Sequence, residues 1–210
     1  MLADSLVPFL ATAVVLTVTP GLDTAMVIQS AATYGARQGQ CTAVGIAIGC
    51  LCWGTAAAFG LSAMLARWSP AFDLLRAVGA LYLGWLGIGL LRNPRQTFDV
   101  HVAAPAPSAR AGDALRTGFL TNILNPKVGL FYLTLLPQFV PRAGNQLHAL
   151  ALASVHVLTA LVWFVSLSAL TSAIGPWLRR SDVITRLDRI TGAIFLILAV
   201  QLGLVWRVQF

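Results

Sequence analysis

The stretch Thr121–Tyr132, TNILNPKVGLFY, places a proline and a lysine inside an otherwise apolar segment that runs from residue 118 to residue 140. Lys127 is the only lysine in the chain, and it lies eleven residues past Arg116. A helical rise of about 1.5 Å per residue puts it about 16 Å beyond that arginine, near the middle of a bilayer. An ammonium at that depth costs roughly 2.5 kcal/mol or more unless it finds water or a partner. Pro126 removes a backbone donor at the same level, so the stretch predicts a binding site rather than plain scaffold.

The composition is that of a membrane protein. The 210 residues are 58% hydrophobic and only 10% charged, with a mean hydropathy of +0.80. Such a chain leaves no room for a soluble domain. The net charge of +7 does not indicate nucleic-acid binding, because the arginines fall in the gaps between apolar runs, where they set membrane orientation.

Six apolar runs have roughly the length of a membrane-spanning helix. They are Leu6–Ile28, Ala43–Ala66, Ala71–Leu91, Gly118–Val140, Leu147–Trp177 and Ile190–Trp206. The predicted fold class is therefore an all-α integral membrane protein with six transmembrane helices. An even number of spans places both termini on one side of the membrane.

Arginine placement predicts which side that is. Nine arginines follow the first, third and fifth runs, and four lie on the other side of the membrane. The nine are Arg37, Arg92, Arg95, Arg110, Arg116, Arg179, Arg180, Arg186 and Arg189. Since cytoplasmic loops carry the excess of basic residues, both termini are predicted to face outside.

The chain divides into two halves of three helices. Residues 1–91 and 117–210 flank a proline- and alanine-rich gap, residues 92–116, which we interpret as a flexible cytoplasmic linker. Because three is odd, related halves would insert in opposite orientations, as in many transporters. The first run breaks at Pro20-Gly21 and the fourth at Pro126, each with an ionisable residue just beyond the proline. Paired interrupted helices predict a binding site near the midplane.

Asp23 is the expected partner of Lys127. Of the seven acids, all aspartates, six fall at the terminus, in gaps or at a helix end, and only Asp23 is placed within a span. We therefore hypothesise an Asp23–Lys127 pair, direct or bridged by water, at the interface of the halves. The alternative is that the first helix ends near Leu22, which would leave Asp23 at the cytoplasmic edge.

Other polar residues near the breaks complete the candidate site. Asn122 and Asn125 could bond the backbone groups that the prolines free, or a substrate, while Pro20, Gly21 and Pro126 would expose backbone to a cavity. His156 and Gln201 are weaker candidates. A lone histidine in a span could relay protons, although packing with one hydrogen bond is its commoner role.

Several site chemistries are not indicated by the sequence. Cys50 and Cys52 point about 200° apart on a helix, so with Cys41 they predict small buried packing residues rather than a metal site. The chain lacks G-x-S-x-G, H-E-x-x-H, P-loop and G-x-G-x-x-G motifs. We expect neither an enzyme nor a cofactor. Gly45 and Gly49 have the spacing of close helix packing, and glycine-lined helices would permit a homodimer.

Two segments resemble the signatures of the LysE/RhtB family of amino-acid exporters. Thr19–Asp23, TPGLD, is similar to T-P-G-P-[DN], and residues 122–131 followed by Pro137–Phe139 are similar to N-x-x-N-P-K-x-x-x-F…P-Q-F. The similarity covers essentially the whole chain, including the long central gap. Leu22 replaces the second proline of the first signature, and Cys50 stands where many members carry aspartate, which weakens a basic amino acid as the substrate.

The resemblance implies export of amino acids or small derivatives across the bacterial inner membrane, driven by the proton gradient. The substrate carboxylate would meet Lys127 and a half-helix N-terminus, and its ammonium would meet Asp23 in competition with a proton. An uncoupled channel or facilitator for a small polar solute would use the same helices and remains the alternative.

Overall fold

The computed structural model describes residues 2–67, 69–94, 110–140, 146–178 and 180–207, with side chains for most of them. Within these ranges the chain is helical, without strands. The α-helices are α1 (Leu2–Val18), α2 (Leu22–Tyr34), α3 (Ala36–Arg67), α4 (Ser69–Arg92), α5 (Ala111–Ile123), α6 (Pro126–Leu130), α7 (Gln146–Leu178) and α8 (Ser181–Arg207). After α6 the chain continues as a π-helical turn, Phe131–Leu135, and a 3₁₀ turn, Leu136–Phe139.

The helices extend beyond the apolar runs, which corrects three expectations. Arg37, assigned to a gap, lies in the first turn of α3, and residues 111–116, assigned to the linker, form the start of α5. The rest of the linker, residues 95–109, lies outside the described residues. Asp188, assigned to the gap between the fifth and sixth runs, lies inside α8 and is fully buried. The sequence pattern missed these extensions because polar residues at helix ends interrupt hydropathy but not the helix.

Two helix breaks interrupt the chain at prolines. α1 ends at Val18 and α2 begins at Leu22, with Pro20 between them and a bend of 52°. α5 ends at Ile123, and Pro126 is the first residue of α6. Proline lacks the N–H of an interior helical residue, and its ring disfavours a helical conformation in the residue before it. Both breaks therefore follow from the local sequence.

Small residues allow the central helices to approach closely. α3 packs against α5 and α7, and α4 packs against α8. A Cβ added at Gly45 of α3 would meet the Leu115 carbonyl of α5, and one added at Gly118 of α5 would meet the Thr42 carbonyl of α3. These contacts confirm the close packing predicted for the Gly45–Gly49 spacing.

Two membrane-crossing helices, or three crossings if one bent helix pair counts as a single span, are recognisable by length and composition among the described residues. Ala36–Gly60 and Gln146–Thr171 are each long and apolar enough to cross a bilayer. Ser5–Val18 and Leu22–Tyr34 together would make a third, broken crossing. Large apolar side chains such as Leu81, Trp85 and Val162 are exposed on the helices, as expected for surfaces that face lipid.

Candidate functional site

Lys127, which follows the second helix break, is bound by backbone carbonyl groups of the first break. Because Pro20 has no N–H, the Leu16 carbonyl four residues earlier loses its helical partner. The Lys127 ammonium donates to that carbonyl at 2.9 Å and to the Thr19 carbonyl at 3.0 Å. These groups form the carboxyl end of α1, where the helix dipole favours a cation. The proline thus leaves free the carbonyl that accepts from the partly buried ammonium.

Asp23, which follows the first helix break, is bound by two asparagine side chains at the second break. Asn122 Nδ2 donates to Asp23 Oδ2 at 2.7 Å, and Asn125 Nδ2 donates to Asp23 Oδ1 at 3.1 Å. The side-chain Oδ1 of Asn125 accepts from the Lys127 backbone N–H at 3.1 Å and so caps α6. Asp23 is 7% exposed and lies in the first turn of α2. Buried carboxylates need such donors, because unpaired charge is strongly unfavourable away from water.

Asp23 and Lys127 line one cavity between α1, α2, α3, α6 and α7. Gly21, Thr24 and Asn125 add polar surface, while Ala160 and Phe164 of α7 add apolar surface. A cavity with a few convergent polar groups among apolar walls is the usual form of a small-molecule site.

Lys127 also lines a second cavity. It shares Leu16 and Lys127 with the first and is otherwise lined mainly by apolar side chains, among them Leu83, Phe131 and Phe195. Lys127 and Leu16 therefore line both a polar and an apolar cavity.

The polar residues continue behind the cavity as a buried network. Asn122 Nδ2 also donates to Cys50 Sγ at 3.3 Å. Tyr132 Oη lies 2.8 Å from Nδ1 of His156. His156 is 3% exposed and contributes to the cavity wall.

Most of the candidate residues chosen from the sequence lie at this place. Asp23, Lys127, Asn122 and Asn125 are joined by the hydrogen bonds above, and Gly21 lies beside the lysine. A Cβ added at Gly21 would sit 3.5 Å from Lys127 Nζ. The side chain of Gln201, on α8, lies outside the described residues.

Sequence reasoning missed several members of the site. Cys50, expected only to pack, accepts a hydrogen bond from Asn122, and Cys52 is exposed rather than buried. The Leu16 carbonyl could have been found from its position four residues before Pro20. Nothing in the sequence indicated a role for Tyr132, because its partner His156 lies in a different helix and only the fold brings the two together.

Comparisons with known proteins give a consistent picture. The sequence model of the LysE type translocator family matches residues 14–205. The chain is 30% identical to the uncharacterized membrane protein YrhP of Bacillus subtilis, over 95% of this chain and 99% of that protein. It is 27% identical to the threonine efflux protein of Escherichia coli K12, over 87% and 89% of the two chains. It is 25% identical to the homoserine/homoserine lactone efflux protein of Salmonella typhi, over 93% and 94%. No solved structure matches the chain significantly.

Proposed function

Because the chain belongs to the LysE type translocator family, we propose that it exports amino acids or small derivatives from the bacterial cytoplasm in exchange for protons. The observation that carries the proposal is the cavity that presents both Asp23 and Lys127 at two broken helices. A zwitterion offers one ammonium and one carboxylate, which this pair of opposite charges matches. The relatives named for threonine and homoserine efflux support the same class of substrate.

The substrate carboxylate binds between Lys127 and the N-terminus of α2 in this proposal. Gly21, the N-cap residue of α2, provides no side-chain cap, so the first-turn backbone donors remain for a ligand. Gly21, Asp23 and Thr24 from this turn all line the cavity. A helix N-terminus and an ammonium both favour an anion, and together they orient the carboxylate.

The substrate ammonium binds Asp23, where it competes with a proton. When a cytoplasmic substrate arrives, its ammonium displaces the proton, and after release outside a proton returns to the carboxylate. Asn122 and Asn125 hold the carboxylate in place in both states, since amide groups can donate to either form. Because the substrate ammonium and the proton compete for the Asp23 carboxylate, each efflux step must alternate with the entry of a proton.

Movement of Lys127 opens the path in this mechanism. Its ammonium donates to the Leu16 and Thr19 carbonyls, and its side chain lines both cavities. A substrate carboxylate that draws the ammonium away from those carbonyls would join the polar cavity to the apolar one. Binding would thereby bias the protein between two arrangements, as alternating access requires.

Inverted repeats, residues 1–91 and 117–210, are supported by reciprocal contacts. Leu16 and Thr19 lie four residues and one residue before Pro20, and Asn122 and Asn125 lie four residues and one residue before Pro126. Each pair binds the charged residue that follows the other proline. α1 of the first half packs on α7 of the second, and α5 of the second half packs on α3 of the first. A two-fold relation between the halves predicts such a pair of equivalent contacts.

The contact between α4 and α8 agrees with the same relation. A Cβ added at Gly87 would lie 2.8 Å from the Gly192 carbonyl oxygen, and one added at Gly192 would lie 2.8 Å from the Gly87 carbonyl oxygen. We place the pseudo-two-fold axis between these glycines, in the plane of the inner membrane. Six spans, a cytoplasmic linker and two outward-facing termini complete the proposed topology.

Uptake by inverted inner-membrane vesicles tests the proposed function. Vesicles containing the protein are given a proton gradient, acid inside, and screened with radiolabelled L-threonine, L-homoserine and other neutral and basic amino acids. Vesicles lacking the protein serve as the control. Uptake that collapses with a protonophore is the expected result.

The other results separate the competing functions. Downhill uptake that a protonophore does not affect would indicate a facilitator instead of an antiporter. Absence of uptake for every amino acid, with the protein correctly inserted, would contradict amino-acid export.

A further inference from the structure

We infer that the Thr17 hydroxyl forms a hydrogen bond with a hydroxyl group on the substrate side chain, so that the protein prefers hydroxylated amino acids to analogues that lack this group. The identity of the ligand rests on the proposed function, whereas the state of the Thr17 hydroxyl in the substrate-free protein does not. Thr17 lies in the last turn of α1 and belongs to neither of the two sequence signatures.

Thr17 is buried in the wall of the polar cavity. The residue is 5% exposed, and it lines this cavity together with Asp23 and Lys127. Its Oγ1 atom is buried and has no hydrogen-bond partner. Among the described residues that line the cavity, Thr17 is the one with such an unpartnered buried side-chain atom. Because a buried hydroxyl without a partner is unfavourable, a ligand that supplies the partner is favoured at this position.

Other buried threonines show that a bond within the helix is available to this residue type. A helical threonine can donate its hydroxyl to the carbonyl group four residues earlier. In the described part of the α-helices, the threonines that do so include Thr12, Thr19, Thr42, Thr55, Thr159 and Thr171. The corresponding acceptor for Thr17 is the Ala13 carbonyl, which it does not use. The Thr17 hydroxyl is therefore available to a group outside its own helix.

The other two threonines of the cavity wall are less suited to this contact. The Thr19 hydroxyl donates to the Val15 carbonyl at 2.6 Å and accepts from the Thr191 hydroxyl at 3.3 Å. Since a hydroxyl has a single proton, Thr19 has no donor left for a ligand. Thr24 lies in the first turn of α2, where the proposed mechanism places the substrate carboxylate.

The charged groups of the substrate are assigned to other residues. In the proposed mechanism, the carboxylate binds Lys127 and the ammonium binds Asp23, which leaves the substrate side chain for Thr17. Asp23 and Lys127 are the one carboxylate and the one ammonium of the described cavity lining, so a charged side chain would find no further counter-charge. The side chain that fits Thr17 is therefore neutral.

A hydroxyl is the neutral group that best matches the Thr17 hydroxyl. Each of two hydroxyl groups can both donate and accept, so a substrate hydroxyl satisfies Thr17, whereas an aliphatic side chain leaves it buried and unpaired. A site built on such a bond discriminates against the analogue without the hydroxyl, because its own polar group then lacks a partner. Thr17 would thus determine specificity for the substrate side chain.

Thermal unfolding of the substrate-free protein in detergent tests whether the hydroxyl is unpaired. Thr17→Val replaces the hydroxyl by a methyl group, and because no hydrogen bond is lost we expect an unchanged or higher thermal midpoint. Thr171→Val on α7 is the matched control, since Thr171 is also buried but donates to the Leu167 carbonyl at 2.7 Å. Its midpoint should fall. A midpoint that falls in Thr17→Val as much as in Thr171→Val would contradict the inference.

Uptake of L-threonine and L-2-aminobutyrate into inverted vesicles tests the contact with the substrate. These two amino acids differ only by the side-chain hydroxyl. In the natural chain, we expect the half-saturating concentration of L-threonine to be about tenfold lower, a factor that corresponds to about 1.4 kcal/mol. In Thr17→Val the two concentrations should become similar, because the hydroxyl then has no partner in the site. Thr171→Val should retain the preference.

Failure of this inference can be told apart from failure of the proposed function. Equal half-saturating concentrations in the natural chain would overturn the inference, as would a preference for L-threonine that Thr17→Val leaves unchanged. In both cases amino-acid export would stand. Absence of uptake for every amino acid would contradict export and with it the ligand assigned to Thr17, whereas the thermal midpoints do not depend on transport.

Discussion

Lys127 and Asp23 are stabilised by groups of different kinds. The ammonium donates to two backbone carbonyls, which need no particular side chain at positions 16 and 19, whereas the carboxylate accepts from two asparagine side chains. Binding of the Asp23 carboxylate therefore requires particular side chains at positions 122 and 125. Binding of the Lys127 ammonium requires only that the helix is broken, so that the carbonyls of residues 16 and 19 are available. Pro20 matters more to Lys127 than the identity of Leu16 does.

The absence of a side chain at Gly49 leaves the space that Asn122 occupies in the site. A Cβ at position 49 would lie 2.5 Å from Asn122 Oδ1 and 3.0 Å from its Cβ. Gly49→Ala should displace the asparagine from Asp23 and raise the half-saturating substrate concentration about tenfold, since a hydrogen bond to a charged group contributes about 1.5–3 kcal/mol. Transport kinetics measure the change.

Gly60→Ala on the same helix is the control, because a Cβ there meets nothing within 4 Å. Equal kinetics for the two variants would show that Asn122 does not need its present position.

Residue types were predictable at this scale, but partners were not. The sequence identified Asp23, Lys127, Asn122 and Asn125 because charges and amides are rare within spans. It did not distinguish which amide serves which charge, because the contacts between the two breaks join residues about a hundred positions apart. Tyr132 and Cys50 looked like ordinary packing residues for the same reason.

At each helix break, a proline leaves one backbone carbonyl without its helical hydrogen-bond donor. Pro20 leaves the Leu16 carbonyl for Lys127, and Pro126 leaves the Asn122 carbonyl, which the Asn125 backbone N–H takes at 3.0 Å. The two breaks are thus satisfied differently, one by a side chain from the other half and one within its own turn. In the proposed mechanism, the substrate acts on the first break.

Pro20→Ala should impair transport without lowering stability. Alanine supplies an N–H that can take the Leu16 carbonyl and straighten the helix, so Lys127 loses an acceptor. We expect uptake to fall at least about tenfold, equal to about 1.4 kcal/mol in the barrier, with an unchanged or higher thermal midpoint.

Pro8→Ala, in the same helix α1 but outside the cavity lining, should leave uptake unchanged. Normal uptake in Pro20→Ala would show that the break is not needed for the function.

Gly118→Val should destabilise the contact between α3 and α5. A side chain there would meet the Thr42 backbone, which cannot rotate away, and overpacking typically costs about 1–3 kcal/mol. The expected result is a thermal midpoint lowered by several degrees in detergent. Gly112→Val on the same helix, where a Cβ meets nothing within 4 Å, is the control. Equal midpoints would contradict the packing described for α5.

Helices were more predictable than their ends. Apolar runs located α3, α4 and α7 because those helices are long and uniformly hydrophobic. The runs missed the N-terminal parts of α5 and α8, where Asp113, Arg116, Arg186 and Asp188 lie within the helix. The π-helical turn after α6 has no sequence signature in hydropathy, since it changes hydrogen bonding and not composition.

For the whole molecule, the proposed topology places both termini outside and residues 92–116 inside. Reporter fusions at the C-terminus measure this directly. Alkaline phosphatase, which is active only outside the cytoplasm, should be active there, and green fluorescent protein should not fluoresce after export through the same secretion route. Fusions truncated at residue 94 should give the opposite pattern. A fluorescent C-terminal fusion would contradict the orientation inferred from the arginines.

The central claim is that Asp23 and Lys127 form one amino-acid site, and proton-driven uptake of L-threonine into inverted vesicles tests it most directly. The comparison is between the natural chain, Lys127→Met and Asp23→Asn, each at matched membrane levels. The account predicts that both variants lose uptake, because each removes the partner of one charged group of the substrate. Uptake at the natural rate in either variant, with the protein inserted normally, would contradict the claim.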